Sequence, residues 1–186
     1  MKKGFTLIET FVAITILLIS LTGPLSIAAQ ALRSAYYARD EITAFYLAQE
    51  GLEYVYAIRD QNYLANPQEP WLDCLNGVGT AGCSNPTPPN CVSVVGGPAN
   101  VSCQVDFIRF SATVCPGSGC SPLSVDPNGL FDTDTTGTQS AFTRTLTIVP
   151  LADDPGNEIR VTSTVSWVSA GISRQFKLSE DLFNWL

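Results

Sequence analysis

One carboxylate, Glu9, stands alone in an apolar run: between Phe5 and Ala29 no other side chain is charged. An ionised acid at bilayer depth costs about 3 kcal/mol on insertion scales, so the chemistry open to Glu9 is pairing with a cation. A second set is the six cysteines, Cys74, Cys83, Cys91, Cys103, Cys115 and Cys120, all downstream of that run. Their even number suits disulfides in an oxidising compartment. With no Cys-x-x-Cys spacing and no histidine in the chain, a zinc site is a poor alternative. The short gaps make Cys74 with Cys83, Cys91 with Cys103 and Cys115 with Cys120 the simplest of several connectivities. A third set is acidic: Asp126, Asn128, Asp132 and Asp134, then Asp153, Asp154 and Glu158. These are oxygen donors of the kind calcium takes, but neither group completes a calcium loop, and turn chemistry is the simpler expectation. No metal and no cofactor is expected. Lacking histidine, a phosphate-cradling glycine loop and a serine elbow, the chain reads as non-enzymatic. A tethered hydrolase would need an acidic pair converging in a cleft.

The elements that must position these residues begin with a helix. Phe5 to Ala29 would span roughly 37 Å as an α-helix, enough to cross the hydrocarbon core. A removable secretory signal is the rival: Lys2 and Lys3 precede the apolar run, and Ala29-Gln30-Ala31 offers a small-residue cleavage site. Against it, the helical period continues past Ala29 through Ala31, Ala35, Ala38, Ile42, Phe45, Ala48, Leu52, Val55 and Ile58. Gly23 and Pro24 fall near the outer end of the span. Proline removes a backbone donor, so a kink or local melt is expected there, either loosening the helix or only steering it out of the bilayer.

Asn66 to about Val101 is crowded with Pro, Gly, Asn and Cys and reads as a disulfide-stapled loop region. Beyond it the period changes to two: Val101, Cys103, Val105 and Phe107; Phe142, Leu146 and Ile148; Ile159, Val161, Val165 and Trp167; Phe176 and Leu178. Four strands in an antiparallel meander are expected. Ile42, Phe45, Leu52 and Val55 would cover one face of the sheet, giving an α+β head. The apolar terminus Leu182-Phe183-Asn184-Trp185-Leu186 is expected to dock back on that head.

Lys3-Gly4-Phe5-Thr6-Leu7-Ile8-Glu9, followed by an apolar helix with an internal Gly23-Pro24, resembles the amino terminus of type IV prepilins and of the pseudopilins of type II secretion. The resemblance covers about the first sixty residues. It implies a leader of residues 1–4, cleaved by a prepilin peptidase between Gly4 and Phe5, and N-methylation of the new terminus at Phe5. It also implies that Glu9 meets the terminal amine of a neighbouring subunit, so that an acid costly to bury gains a positive partner and sets assembly register. On this reading residues 5–29 span the membrane. Residues 30–62 form the outer half of the long helix, packed on the antiparallel sheet of a pilin-like head, and residues 63–186 make that head. The cysteine pattern departs from the common pilin arrangement, in which a bridge closes a loop near the carboxyl end; here the last cysteine is Cys120.

The side chains sum to a formal charge of −7. Without Lys2 and Lys3, eight basic side chains remain against seventeen acidic ones, or −9. Such an acidic surface argues against direct nucleic-acid binding, which needs clustered Lys and Arg. The expectation is a structural subunit, a minor pilin of a type IV pilus-like filament. It would be held in a bacterial inner membrane with its amino terminus cytoplasmic and its head outside. Its partners would be membrane lipid before assembly, other pilin subunits, the prepilin peptidase/methyltransferase and the assembly platform with its motor. The downstream task would be DNA uptake, adhesion, motility or secretion. A pseudopilin of a type II secretion system is one alternative, and a single-pass surface binding module that does not polymerise is another.

Overall fold

A computed structural model describes residues 4, 6–65, 70–77, 89–94, 101–134 and 136–184. Phe5, Cys83, most of the loop region and Trp185-Leu186 lie outside the described residues. The first element is one α-helix, α1, Leu7–Leu64, interrupted neither at Gly23 nor at Pro24. Helical structure therefore continues where a local melt was expected, and Ser26 donates its hydroxyl to the Gly23 carbonyl at 2.8 Å. The chain divides into two compact units, Met1–Glu41 and Ile42–Leu186, so α1 contributes to both.

Within the first unit, from Leu7 to Leu32, α1 exposes apolar side chains on all sides. Its most apolar 18-residue window has a mean hydropathy of 2.2, and none of it is buried. This is one helix long and apolar enough to cross a membrane, by length and composition. The hydroxyls it carries turn back on the backbone: Thr10, Thr15, Ser20 and Thr22 donate to the carbonyls of Leu7, Val12, Leu17 and Ile19 at 2.8 to 3.1 Å. Donors satisfied locally do not oppose an apolar solvent.

The second unit is an antiparallel sheet with α1 from Ile42 onward laid on one face. Its strands are β1 (Ser102–Asp106), β2 (Ser111–Val114), β3 (Ser124–Val125), β4 (Phe131–Asp132), β5 (Thr138–Gln139), β6 (Thr143–Pro150), β7 (Glu158–Ser169) and β8 (Ile172–Phe183). Five strands run in the order β2-β1-β6-β7-β8, and β4-β3-β5 form a second, three-stranded sheet. The four expected strands lie side by side as β1-β6-β7-β8, each pair antiparallel, with register Cys103↔Leu146, Ile148↔Val161 and Val161↔Glu180. Sequence periodicity missed β2, which returns on β1 with Cys103 opposite Val114. Four residues are too few for a period to show. Phe107, expected to extend the inward face of β1, instead lies in the turn and is 44 % exposed.

The expected face of α1 packs from Ala48 onward, through Leu52, Val55 and Ile58, but its first members do not. Ala44, Leu47, Ala48, Gly51, Leu52, Tyr54, Val55, Ile58 and Asn62 are buried, whereas Ile42 is 58 % exposed and Phe45 touches the head only edge-on against Phe176, at 5.6 Å. No residue from 30 to 43 is buried, so the outer part of the helix begins to pack only at Ala44. The reason is steric. A Cβ added at Gly51 would lie 2.5 Å from Ser163 Oγ, so β7 comes close only where the helix offers small residues. From β7, Ile159, Val161, Ser163, Val165 and Trp167 all point inward, as period two requires.

Two disulfides are formed as the short gaps suggested, Cys91–Cys103 and Cys115–Cys120, and Cys74 is also disulfide-bonded. Cys91–Cys103, fully buried, ties the loop region to β1; closing a loop of this length is worth about 3 kcal/mol in the chain-entropy account. The loop is further pinned by Cys91 N–H to the Leu75 carbonyl, at 2.7 Å, and by a bridge between Val92 and Ile148. Leu182 is buried in β8, so the chain's end does dock on the head as far as Phe183.

Candidate functional site

At the start of α1, Thr6 is the capping residue. Its carbonyl accepts the N–H groups of Glu9 and Thr10 at 3.1 and 3.2 Å, and its hydroxyl lies 3.4 Å from the Glu9 N–H. Thr6-Leu7-Ile8-Glu9 has the spacing of a capping box, with the acid in the first turn, where the helix dipole favours negative charge. Glu9 therefore has a local structural role that its isolation in the sequence did not reveal. Its side chain is exposed, and so are its neighbours: Leu7 is 87 % and Phe11 66 % exposed. Gly4 has nothing within 4 Å of a Cβ built upon it, which leaves its backbone accessible. From Thr6 to Leu32 the only charged residue is Glu9, so the carboxylate meets no cation within the span.

In the head, four of the acids considered for calcium, Asp126, Asp132, Asp134 and Asp154, make other contacts. Asp126 accepts the N–H groups of Asn128 and Leu130, both at 2.8 Å, and these bonds hold its carboxyl below the usual range. Asp154 accepts both contacts from Asn157 Nδ2, at 3.1 and 3.0 Å, inside its own turn. Asp132 and Asp134 converge instead on Arg109, at 3.5 and 2.7 Å, together with Asp106 at 2.9 Å. Among the described residues, no group of three or more His, Cys, Asp or Glu is arranged to hold a metal ion. Burial opposes the charge on Asp106, but hydrogen bonds from Arg109 and Thr133 outweigh it and hold the carboxyl low.

Sequence reasoning also missed a buried ion pair. Arg144, fully buried in β6, reaches Glu50 of α1 at 3.1 Å, the Leu47 carbonyl of the same helix at 3.2 Å and the Val105 carbonyl of β1 at 2.6 Å. Burial pulls its pKa down, against the pull of Glu50 and Asp106. The signal was available: in Phe142-Thr143-Arg144-Thr145-Leu146-Thr147-Ile148, period two puts the arginine on the inward face with Leu146 and Ile148. The pKa of Tyr54, nearby on α1, is instead pushed up, by burial and then by Asp106.

The chain matches no protein-family model, no curated protein and no solved structure. What can act chemically is thus read from these residues alone. At the amino end they form an exposed apolar helix with one carboxylate near its start. In the head they form ion pairs whose distances and burial are those of structural contacts, tying strands, turns and helix together.

Proposed function

We propose that this chain is a structural subunit, of the minor-pilin kind, of a type IV pilus-like filament. It would be cut between Gly4 and Phe5, methylated at Phe5 and assembled through α1. The observation that carries this reading is the run Thr6 to Leu32, wholly exposed apart from a half-buried Thr15 and charged only at Glu9. An apolar surface of that extent needs lipid before assembly and the helices of other subunits afterwards. Glu9, one turn inside it, is then satisfied by the amine of an adjoining subunit's new terminus. A pilin-like head, single-pass anchoring with the amino terminus cytoplasmic, and the partners expected above all belong to this proposal, as does service in a pseudopilin assembly of type II secretion.

Intact mass spectrometry tests it in cells that also make a prepilin peptidase. The mature chain should begin at Phe5 and carry one methyl group. A start at Met1 or Leu32 would overturn the reading in favour of a plain anchor or a secreted domain. Glu9→Ala should leave synthesis and membrane insertion intact while impairing incorporation into filaments. Replacing Gly4 with a bulky residue should leave a precursor four residues longer.

A further inference from the structure

The turn between β1 and β2 exposes apolar side chains on a backbone that is held unusually firmly. Phe107 and Ile108 are 44 % and 50 % exposed. Next to them Phe110 adopts a φ of 50°, a left-handed conformation that aromatic residues rarely take, and its ring packs back on Tyr54 at 5.2 Å. Asp106, almost fully buried, fixes the turn from inside. It accepts the Arg109 N–H and guanidinium, each at 2.9 Å, the Thr133 N–H at 3.2 Å and the Thr133 hydroxyl at 2.9 Å.

Beside this turn lies a cavity of about 480 Å³ whose lining includes Ile108, Val125, Pro127, Asp126, Asp132 and Arg109. One guanidinium, Arg109, pairs with three carboxylates, Asp106, Asp132 and Asp134, and Asp126 lines the same cavity, so the local charge stays negative after pairing. Apolar residues kept exposed by a fixed backbone lose little conformational freedom when they are covered. The surplus of negative charge selects what covers them.

We propose that the β1–β2 turn and this cavity form a docking site for a protein partner that presents a Lys or Arg side chain beside an apolar one. The apolar group would cover Phe107 and Ile108, while the cation would enter the cavity toward Asp126 and Asp132. The proposal concerns the head alone and goes beyond the filament reading. An acidic partner is excluded by repulsion at the same carboxylates.

The test places a photoreactive benzoyl-phenylalanine at Phe107 in the full chain, in cells of the native host. A second chain carries the same group at Ile172, an apolar residue that is 54 % exposed at the start of β8. The expected result is a discrete adduct at Phe107, absent at Ile172, whose cross-linked partner peptide contains Lys or Arg. Asp126→Asn keeps acceptor oxygen for the Asn128 and Leu130 amides but removes the charge. It should lower the adduct yield by about fivefold, the size of one exposed charge pair. Ile108→Ser should lower it independently. The proposal is overturned by no adduct at Phe107, by equal adducts at both positions, by adducts to lipid or glycan, or by a yield that neither substitution changes.

Discussion

Helix α1 is two sequences in one secondary structure. Before Ile42 its large apolar residues face outward on every side: Ile19 is 73 % and Ile27 68 % exposed. After Ile42 one face of the helix is buried, with Val55 at 0 %, Ile58 at 2 % and Leu52 at 5 %. The second stretch differs in having Ala44, Ala48 and Gly51 on one face, where a sheet can approach, and Glu50 to meet a buried arginine. Hydropathy alone therefore separates neither burial from exposure nor core from anchor. Small residues mark a packed part only where a strand meets them, since Ala31, Ala35 and Ala38 share the helical spacing and stay exposed.

The largest test of that contrast is Arg144→Ala, which strands Glu50 and the carbonyls of Leu47 and Val105. Loss of one partner of a buried pair costs about 3–5 kcal/mol, read as a lowered midpoint of denaturant unfolding in detergent. Arg144→Met should cost less if the residue mainly fills space; equal losses would show that its hydrogen bonds decide the fit. Next comes the same substitution made in both stretches. Gly51→Ala forces a Cβ to within 2.5 Å of Ser163 Oγ and should destabilise the head by about 1–3 kcal/mol, with partial rescue by Ser163→Ala. Gly23→Ala has nothing within 4 Å and should leave the unfolding midpoint where it was. A comparable loss from both would erase the distinction between the stretches.

The head also carries a pH dependence. The folded pKa of Asp106 lies below its unfolded value, so its contribution to stability is present above about pH 4 and is lost as pH falls through the folded pKa. Unfolding midpoints measured from pH 6 down to pH 2 should decline, and Asp106→Asn should flatten that decline while lowering the midpoint at neutral pH. The smallest effect is expected at Glu9. Glu9→Gln removes a favourable charge from the first turn, worth about 0.3–1 kcal/mol of local helix stability, and should not move the midpoint of the head. A shift there would mean that the two stretches are coupled.

Much of the fold can be read without coordinates. A continuous helix, inward alternation in β6 and β7, short-range disulfides and an antiparallel sheet all follow from periodicity and spacing over eight residues or more. What escaped was short or conditional. β2 and the β3–β4–β5 sheet have two to four residues per strand, too few for a period. Arg144 sits on the inward parity, but parity alone does not say that a charge will be accepted there; that depends on Glu50 and two carbonyls arriving from other elements.

For the candidate site the division is sharper. Chain order by itself determined that one acid stands near the start of an uncharged apolar stretch, because charge and hydropathy are properties of residues. Tertiary structure decided which face of α1 the sheet covers and that Arg109 gathers three acids from two separate segments. It also left Phe107 and Ile108 outside the core, because contact, unlike hydropathy, exists only once distant segments share a place.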